Sequence, residues 1–445
     1  MKDPTFRVNI RHIKVWNRRA SRRFRRELRE ADPNAEIADL EEKINLIYQV
    51  AFGGAGQADL DHVRGWIEAK FDKVHWRTPM MRAMIYSGDF ETYRAEAAAR
   101  LVEMPDSLPA QVSLVRGELL VGNVAAATEV CKTHLKTVAV PPKVLPREIR
   151  FMAQHLVMVG EGDWLRQVQP KIAAHMWQFR YLKDFLPLPS PPVKTFCLNL
   201  DRDVSRLRRA EALLGPGVDF HRSPGVSGVA VPDCLLAQAG LEVAVKRKAQ
   251  VGCHLSHIRA WERIRDEVDD GSYGLVAEDD ACFTCGPGAG LSEALKCARE
   301  DGLDILFINE EASLFVKGPA TTAGIKAVSV DHAYNAIGDN TLTGWGGEGY
   351  LLTPKGASLL IEFAMKFGIV GALDWQIALY AMADIKTERM RENLFGVAPE
   401  RIVAARAAEP GKYFIKGGVL NMGLMRQNDL GYKTHNIEVS LDAGK

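Results

Sequence analysis

The chain has 445 residues, 47% of them hydrophobic, which is enough for two or three domains with cores and excludes wholesale disorder. Its formal net charge of +1 argues against nucleic-acid binding by the chain as a whole, and its seven scattered cysteines do not make a disulfide framework. No apolar run reaches the length of a membrane span and the start lacks a signal-peptide core, so the expectation is a soluble protein of the cytoplasm.

Residues 1–33 depart from the neutral average. The first thirty hold eleven Lys or Arg against three acids, with Ile13, Ala20, Phe24 and Leu28 on one face of a predicted helix and Trp16 near it. Such a basic amphipathic helix is read three ways: a solvated helix packed on the next domain, an anchor on an anionic membrane surface, or a nucleic-acid contact. The second would place the protein peripherally on the inner face of the membrane. A nucleic-acid partner is not expected.

Residues 34–186 are predicted to be all-helical. Asn34 is a candidate N-cap before Ile37, Leu40, Ile44 and Ile47, which recur at helical spacing. A degenerate repeat follows. Thr78-Pro79, Leu108-Pro109 and Leu145-Pro146 open helical segments, and Gly88-Asp89-Phe90, Gly122-Asn123-Val124 and Gly162-Asp163-Trp164 turn them, with Gly56 as an earlier copy. Glycine spacings of 32, 34 and 40 residues suit a tetratricopeptide-like array. The array is read either as an arm for a protein partner or acceptor, or as a helical cap on the next domain. Residues 187–192, Pro187-Leu188-Pro189-Ser190-Pro191-Pro192, form a linker, because a helix cannot continue through them.

From 193 to 430 the pattern changes to alternating strands and helices, before a polar tail at 431–445. Strands are predicted at 193–200, 273–277, 303–309 and 350–353, and helices at 204–214, 291–299 and 356–366, which implies a mostly parallel sheet covered on both faces. The chemistry-bearing residues sit around these elements. Asn199, Asp201 and Arg202 end the first strand, with Arg206 just beyond. His254, Ser256 and His257 lie on a helix that runs on through Ile258, Trp261 and Ile264. The apolar run Gly274-Leu275-Val276-Ala277 passes straight into Glu278, Asp279 and Asp280; if the strand continues, Glu278 and Asp280 face one ion and Asp279 faces away. A glycine-rich loop around Trp345 and Glu348 offers a ring to stack on a sugar and a carboxylate to accept a proton. Asp374 opens a last candidate element, as a base or as a cap. Cys282-Phe283-Thr284-Cys285 has no partner pair and is read as structural.

Three blocks in this order, Asn199-Leu200-Asp201-Arg202, Gly252-Cys253-His254-Leu255-Ser256-His257 and Glu278-Asp279-Asp280, resemble glycosyltransferase family 25, over roughly residues 193–390. The resemblance implies a GT-A-like domain. It implies a UDP-hexose donor, galactose first among them, a glycan or glycolipid acceptor and inversion at the sugar carbon, as in lipopolysaccharide or surface-polysaccharide synthesis. Under it, Glu278 and Asp280 hold Mn²⁺ or Mg²⁺. Asn199, Asp201, Arg202, Arg206, Ser256, Asp279 and Trp345 bind the nucleotide sugar, and Asp374, then Glu348, serve as base beside His257. The chain departs from the pattern at Gln250 and Ser227. Those departures keep open a rival, a non-catalytic interaction protein with a degenerate transferase domain; nucleotidyl transfer on a similar fold is a further rival.

Overall fold

A computed structural model describes residues 88–140, 144–176, 188–238, 248–313, 324–336, 345–385 and 399–428, with Met81, Met84, Ile85, Leu241, Val243, Val316 and Leu430. The basic segment 1–33, the predicted helix after Asn34, Gly56, Thr78-Pro79, Pro187, Gly344 and the tail lie outside the described residues. Contacts divide the chain between Val102 and Glu103. On the first side, all but the last residue of α1 (Phe90–Glu103) is included, and this helix buries Tyr93 and Ala97.

The second unit opens with α2 (Leu108–Leu120), α3 (Val124–Thr137), α4 (Arg147–Met158), α5 (Gly162–Val168) and α6 (Pro170–His175). Ser107 caps α2 by accepting from the Ala110 N–H, with Pro109 in the first turn. α2 and α4 end in the same way: Gly122 and Gly160 take φ of +85° and +86°, and their N–H groups reach Leu119 O and Val157 O. The next residues, Asn123 and Glu161, reach back to Glu118 O and Leu156 O, which completes a Schellman motif. Gly88 makes the same pattern with Ile85 and Met84. The region is therefore built of helices joined at recurring glycine turns, in keeping with a helical repeat. The third turn lies at Gly160, two residues before the expected Gly162, which instead begins α5.

The α/β part follows the Pro-rich stretch, whose described residues belong to the same unit. β1 (Lys194–Asn199), β2 (Asp219–Pro224), β3 (Gly274–Glu278), β5 (Ile305–Phe307), β6 (Ala327–Ser329), β7 (Gly349–Leu352) and β8 (Gly417–Leu420) form one sheet in the order β2-β1-β3-β7-β5-β8-β6. β7 and β6 run against the other five, so the sheet is mixed and mostly parallel. β4 (Ala281–Phe283) and β9 (Met425–Gln427) form a separate pair.

Both sheet faces are buried. Phe196, Val276, Tyr350 and Leu352 pack on one side, and Cys197, Leu275, Ala277 and Leu351 on the other. This two-sided burial explains why the strands read as continuous apolar runs. α7 (Val204–Leu214) and α10 (Leu291–Glu300) bring residues to the second face; α9 (Lys248–Glu267), α13 (Pro354–Phe367) and α14 (Leu373–Ala381) bring them to the first. Remaining helices are α8 (Asp233–Gln238), α11 (Glu310–Ser313), α12 (Val330–Ala336) and α15 (Pro399–Ala408). α7 also meets the helical segment. Its buried Arg209 donates to Leu119 O at 3.3 Å, and Gly122 lies so close that a Cβ there would be 2.8 Å from Ser205 O.

One backbone-on-backbone contact seats α9. A Cβ on Gly252 would lie 2.5 Å from both Gly228 N and Val226 O. Ser256 clamps the same loop: its Oγ accepts from the Val226 N–H at 2.8 Å and donates to Gly252 O at 2.7 Å. Backbone cannot retreat as a side chain can, so Gly252→Ala is expected to lower stability by about 1–3 kcal/mol. Urea unfolding measures this; an unchanged midpoint would mean that the loop shifts without cost.

Candidate active site

β1 and β3 are parallel neighbours, with Leu198 opposite Glu278, so the turns after them lie side by side at the carboxyl ends of the strands. β3 ends at Glu278, and Asp279 and Asp280 form a turn into β4. The expected strand alternation therefore stops before Asp280 and does not set its direction. Arg206 does. Its Nη2 meets Asp279 Oδ1 and lies 3.0 Å from Asp280 Oδ2, with all three side chains mostly buried. Asn199 Nδ2 donates to Asp279 Oδ2 at 2.8 Å. Asp280 Oδ1 is buried without a hydrogen-bond partner among the described residues. Burial pushes the Glu278 carboxyl up to about 8; Asp280 adds to this and Arg206 opposes it. Burial likewise raises Asp279 to about 7 against the pull of Arg206.

Asn199 is also bound on its other side, since its Oδ1 accepts from Arg222 Nε at 3.1 Å and its Nδ2 also donates to Asp203 O at 3.0 Å. Asp201 is exposed and pairs with Arg222, and Arg202 is exposed beside it. Asn199 and Arg206 thus build the acidic turn, while Asp201 and Arg202 face outward next to it. Ser256 belongs to the loop clamp described above. His254 donates from Nε2 to Gly371 O at 2.9 Å and is a strut, held neutral by burial.

His257 is fully buried and points at the acids. Its Nδ1 lies 2.7 Å from Tyr350 Oη, which accepts from Trp261 Nε1 at 2.7 Å, and its ring stacks on Tyr350. Nε2 lies 3.7 Å from Glu278 Oε1 and has no hydrogen-bond partner among the described residues. Burial lowers its pKa to about 3, so the ring is neutral. Cys253, one helical turn before His257, joins them: Cys253, His257 and Glu278 bring donor atoms within 4.8 Å of one another. Cys253 was not among the expected site residues, although its spacing of four from His257 was visible. Arg222, Asn309 and Tyr350 were also missed; their roles depend on residues distant in the chain.

The glycine-rich loop is pinned by Asp374. Its Oδ2 accepts from the Trp345 N–H at 2.7 Å and the Gly346 N–H at 3.0 Å, and Asn309 Nδ2 donates to Gly346 O at 3.0 Å. Gly346 takes φ of +81°, which suits glycine. Trp345 does not offer a face to a sugar. It is fully buried, with its ring 5.3 Å from Trp375 and 5.8 Å from Phe307, because core aromatics enclose it. Glu348 is fully buried too, and neither carboxyl oxygen reaches another residue's donor among the described residues. Burial, with Glu311 nearby, raises it from 4.5 to about 9. At neutral pH it therefore carries a proton, which removes it as a resting base.

Residues 247–374 match Glycosyltransferase family 25 (LPS biosynthesis protein), so the C-terminal part carries a domain of that family. The match spans α9, the acidic turn, the glycine-rich loop and Asp374, and begins after β1 and Arg206. No curated protein matches the chain. No helix among the described residues is long and apolar enough to cross a membrane.

Glu348 makes stability depend on pH. The folded chain keeps a proton that the unfolded chain releases between 4.5 and about 9. Its contribution is present at low pH and is lost as pH rises through that window, by at most about 1.4 kcal/mol per pH unit. Glu348→Gln is expected to remove that slope, so the variant gains on the parent from about pH 5 to about pH 8. Urea unfolding across the range checks this. A difference constant with pH would show that the carboxyl is not held protonated.

Proposed function

We propose that the protein transfers a hexose, galactose from a UDP donor, with inversion, to a hydroxyl of a glycan or glycolipid in lipopolysaccharide or surface-polysaccharide synthesis. The observation that carries this reading is the acidic turn with its buried arginine at the carboxyl ends of adjacent parallel strands. That is where open α/β sheets gather ligands. Arg206 pairs with Asp279 and Asp280, Glu278 precedes them, and Asp280 Oδ1 has no hydrogen-bond partner among the described residues, so the site fits a hard divalent cation. Glu278 and Asp280 would hold Mn²⁺ or Mg²⁺, which supplies counter-charge to the leaving diphosphate.

Transfer needs a base for the acceptor. Asp374 is the first choice, because its carboxylate is fixed by two backbone N–H groups on the loop beside the site. It would take the acceptor hydroxyl proton as the oxygen bonds to the sugar carbon and the bond from that carbon to the diphosphate oxygen breaks. Asp201 and Arg202, exposed at the end of β1, would meet the nucleotide. Arg206 holds Asp279 in place and adds positive charge near the diphosphate. The helical segment would present an acceptor or a protein partner, and the basic segment 1–33 would bind an anionic membrane from the cytoplasmic side. The alternative, a binding protein with a retired transferase domain, draws on Gln250, Ser227 and the enclosure of Trp345.

Asp280→Asn tests the reading. It keeps shape while deleting charge, so transfer or donor hydrolysis with saturating Mn²⁺ should fall by roughly 10²–10³. The melting temperature should change little, since Asp279 still pairs with Arg206. Full activity would sink the role of Asp280, and a chain without transfer under any donor would favour the binding protein.

A further inference from the structure

We propose that Cys253, His257 and Glu278 form a site for a borderline divalent cation of the zinc class, with one coordination position open. The inference stands on these three side chains and does not require the transfer reaction. Cys253 and His257 are four residues apart on α9 and share its inner face. Glu278 comes from the last position of β3. One sulfur, one imidazole nitrogen and one carboxylate oxygen thus converge within 4.8 Å, the only such group of His, Cys and acids among the described residues.

The spacing is near what coordination needs. Tetrahedral zinc holds nitrogen and oxygen at about 2.0–2.2 Å, which puts adjacent donors about 3.4 Å apart. His257 Nε2 and Glu278 Oε1 already stand 3.7 Å apart. Nε2 is buried and without a partner among the described residues, an uncommon state for a ring nitrogen unless something binds it. The other side of the ring is furnished. Tyr350 Oη has two lone pairs, one taken by Trp261 Nε1–H, and the second can accept from Nδ1–H. In the tautomer in which Nδ1–H donates to Tyr350, Nε2 carries no proton and is aimed to bind a metal, as outer partners of metal-bound histidines arrange.

Space and access are present as well. A Cβ on Gly347 would lie 3.1 Å from Glu278 Oε1 and 4.0 Å from His257 Nε2, so the missing side chain leaves room beside both donors. Glu278 remains 24% exposed and Cys253 is half-buried, so the group is not sealed from solvent. The donor set decides the class of ion. Thiolate and imidazole suit zinc, whereas Mg²⁺ and Ca²⁺ favour all-oxygen sets. Three protein ligands with an open fourth position are the pattern of catalytic rather than structural zinc.

The test uses the full chain without nucleotide sugar, with Cys234 and Cys297, the other two thiols that are not buried, changed to serine. Co²⁺ titration is expected to give tetrahedral visible bands and a thiolate-to-cobalt charge-transfer band, and Zn²⁺ should displace it. Cys253→Ser should abolish the charge-transfer band and weaken Zn²⁺ binding at least about tenfold, and Gly347→Ala should weaken it too. Circular dichroism of the metal-free proteins checks folding, and protection of one thiol by Zn²⁺ against alkylation reads the site without any substitution at it. Asp280→Asn should leave the charge-transfer band. No such band, a band that survives Cys253→Ser, or no thiol protected by Zn²⁺ would overturn the site. Loss of the band in Asp280→Asn would overturn it in favour of the acidic turn alone. None of these readings depends on transfer, so failure of the proposed reaction and failure of this site are separable.

Discussion

The structure around the sheet edge depends on one buried guanidinium. Three consecutive carboxylates at the end of a buried strand are unfavourable without positive charge, and Arg206 is what α7 brings to them. The chain reaches that position by a short route: β1 ends at Asn199, and α7 starts at Val204, two residues before Arg206. Asn199 fastens both sides, donating to Asp279 and accepting from Arg222. Breaking a buried pair by removing one partner typically costs about 3–5 kcal/mol. The first strand, the helix after it and the acidic turn therefore form a single electrostatic unit, although β1 and α7 lie outside the matched family segment. The same helix carries Arg209, which reaches Leu119 O, so the helices before the sheet are seated on the element that balances the site.

A second unit is built by close packing. Gly252 lets the loop at Val226–Gly228 press on α9, and Ser256 ties it there. That contact fixes the helix along its axis, which sets where Cys253 and His257 face the sheet. Tyr350 on β7 and Trp261 on α9 then fix the His257 ring. The Gly-Cys-x-x-Ser-His block thus divides its labour: glycine and serine position the helix, and cysteine and histidine look inward.

Much of this was legible. Strands buried on both faces write themselves as apolar runs, so β1, β3, β5 and β7 fell near their expected places, and the α7 bounds agree with the structure. The helical segment announced itself through glycine turns, although Gly160 rather than Gly162 makes the third, because local patterns do not say which of two nearby glycines takes positive φ. β2 and β6 were not legible because their residues are only partly buried and make no continuous apolar run. Trp345 misled because a glycine-rich context looks solvent-exposed, while Trp375 and Phe307, far along the chain, enclose it. Glu348 misled for the same reason: its protonation is set by burial, which no single-residue pattern reports. Cys253 was not legible as a site residue because the partner that completes its group, Glu278, is a strand-end acid 25 residues further along the chain.

The charge balance of the site limits what can enter it. His257 is neutral and Lys residues do not reach the acidic turn among the described contacts, so Arg206 is the cation that the structure shows there. One guanidinium cannot neutralise Glu278, Asp279 and Asp280 together. Part of the excess is relieved by protons, as the raised Glu278 and Asp279 carboxyls show. An anionic diphosphate would meet a surplus of negative charge in a region of low dielectric, where repulsion is strong. Under the transferase reading, positive charge must therefore arrive before or with the donor. Glu278 is the residue through which it would act, because it lies at the junction of the acidic turn and the Cys253–His257 pair.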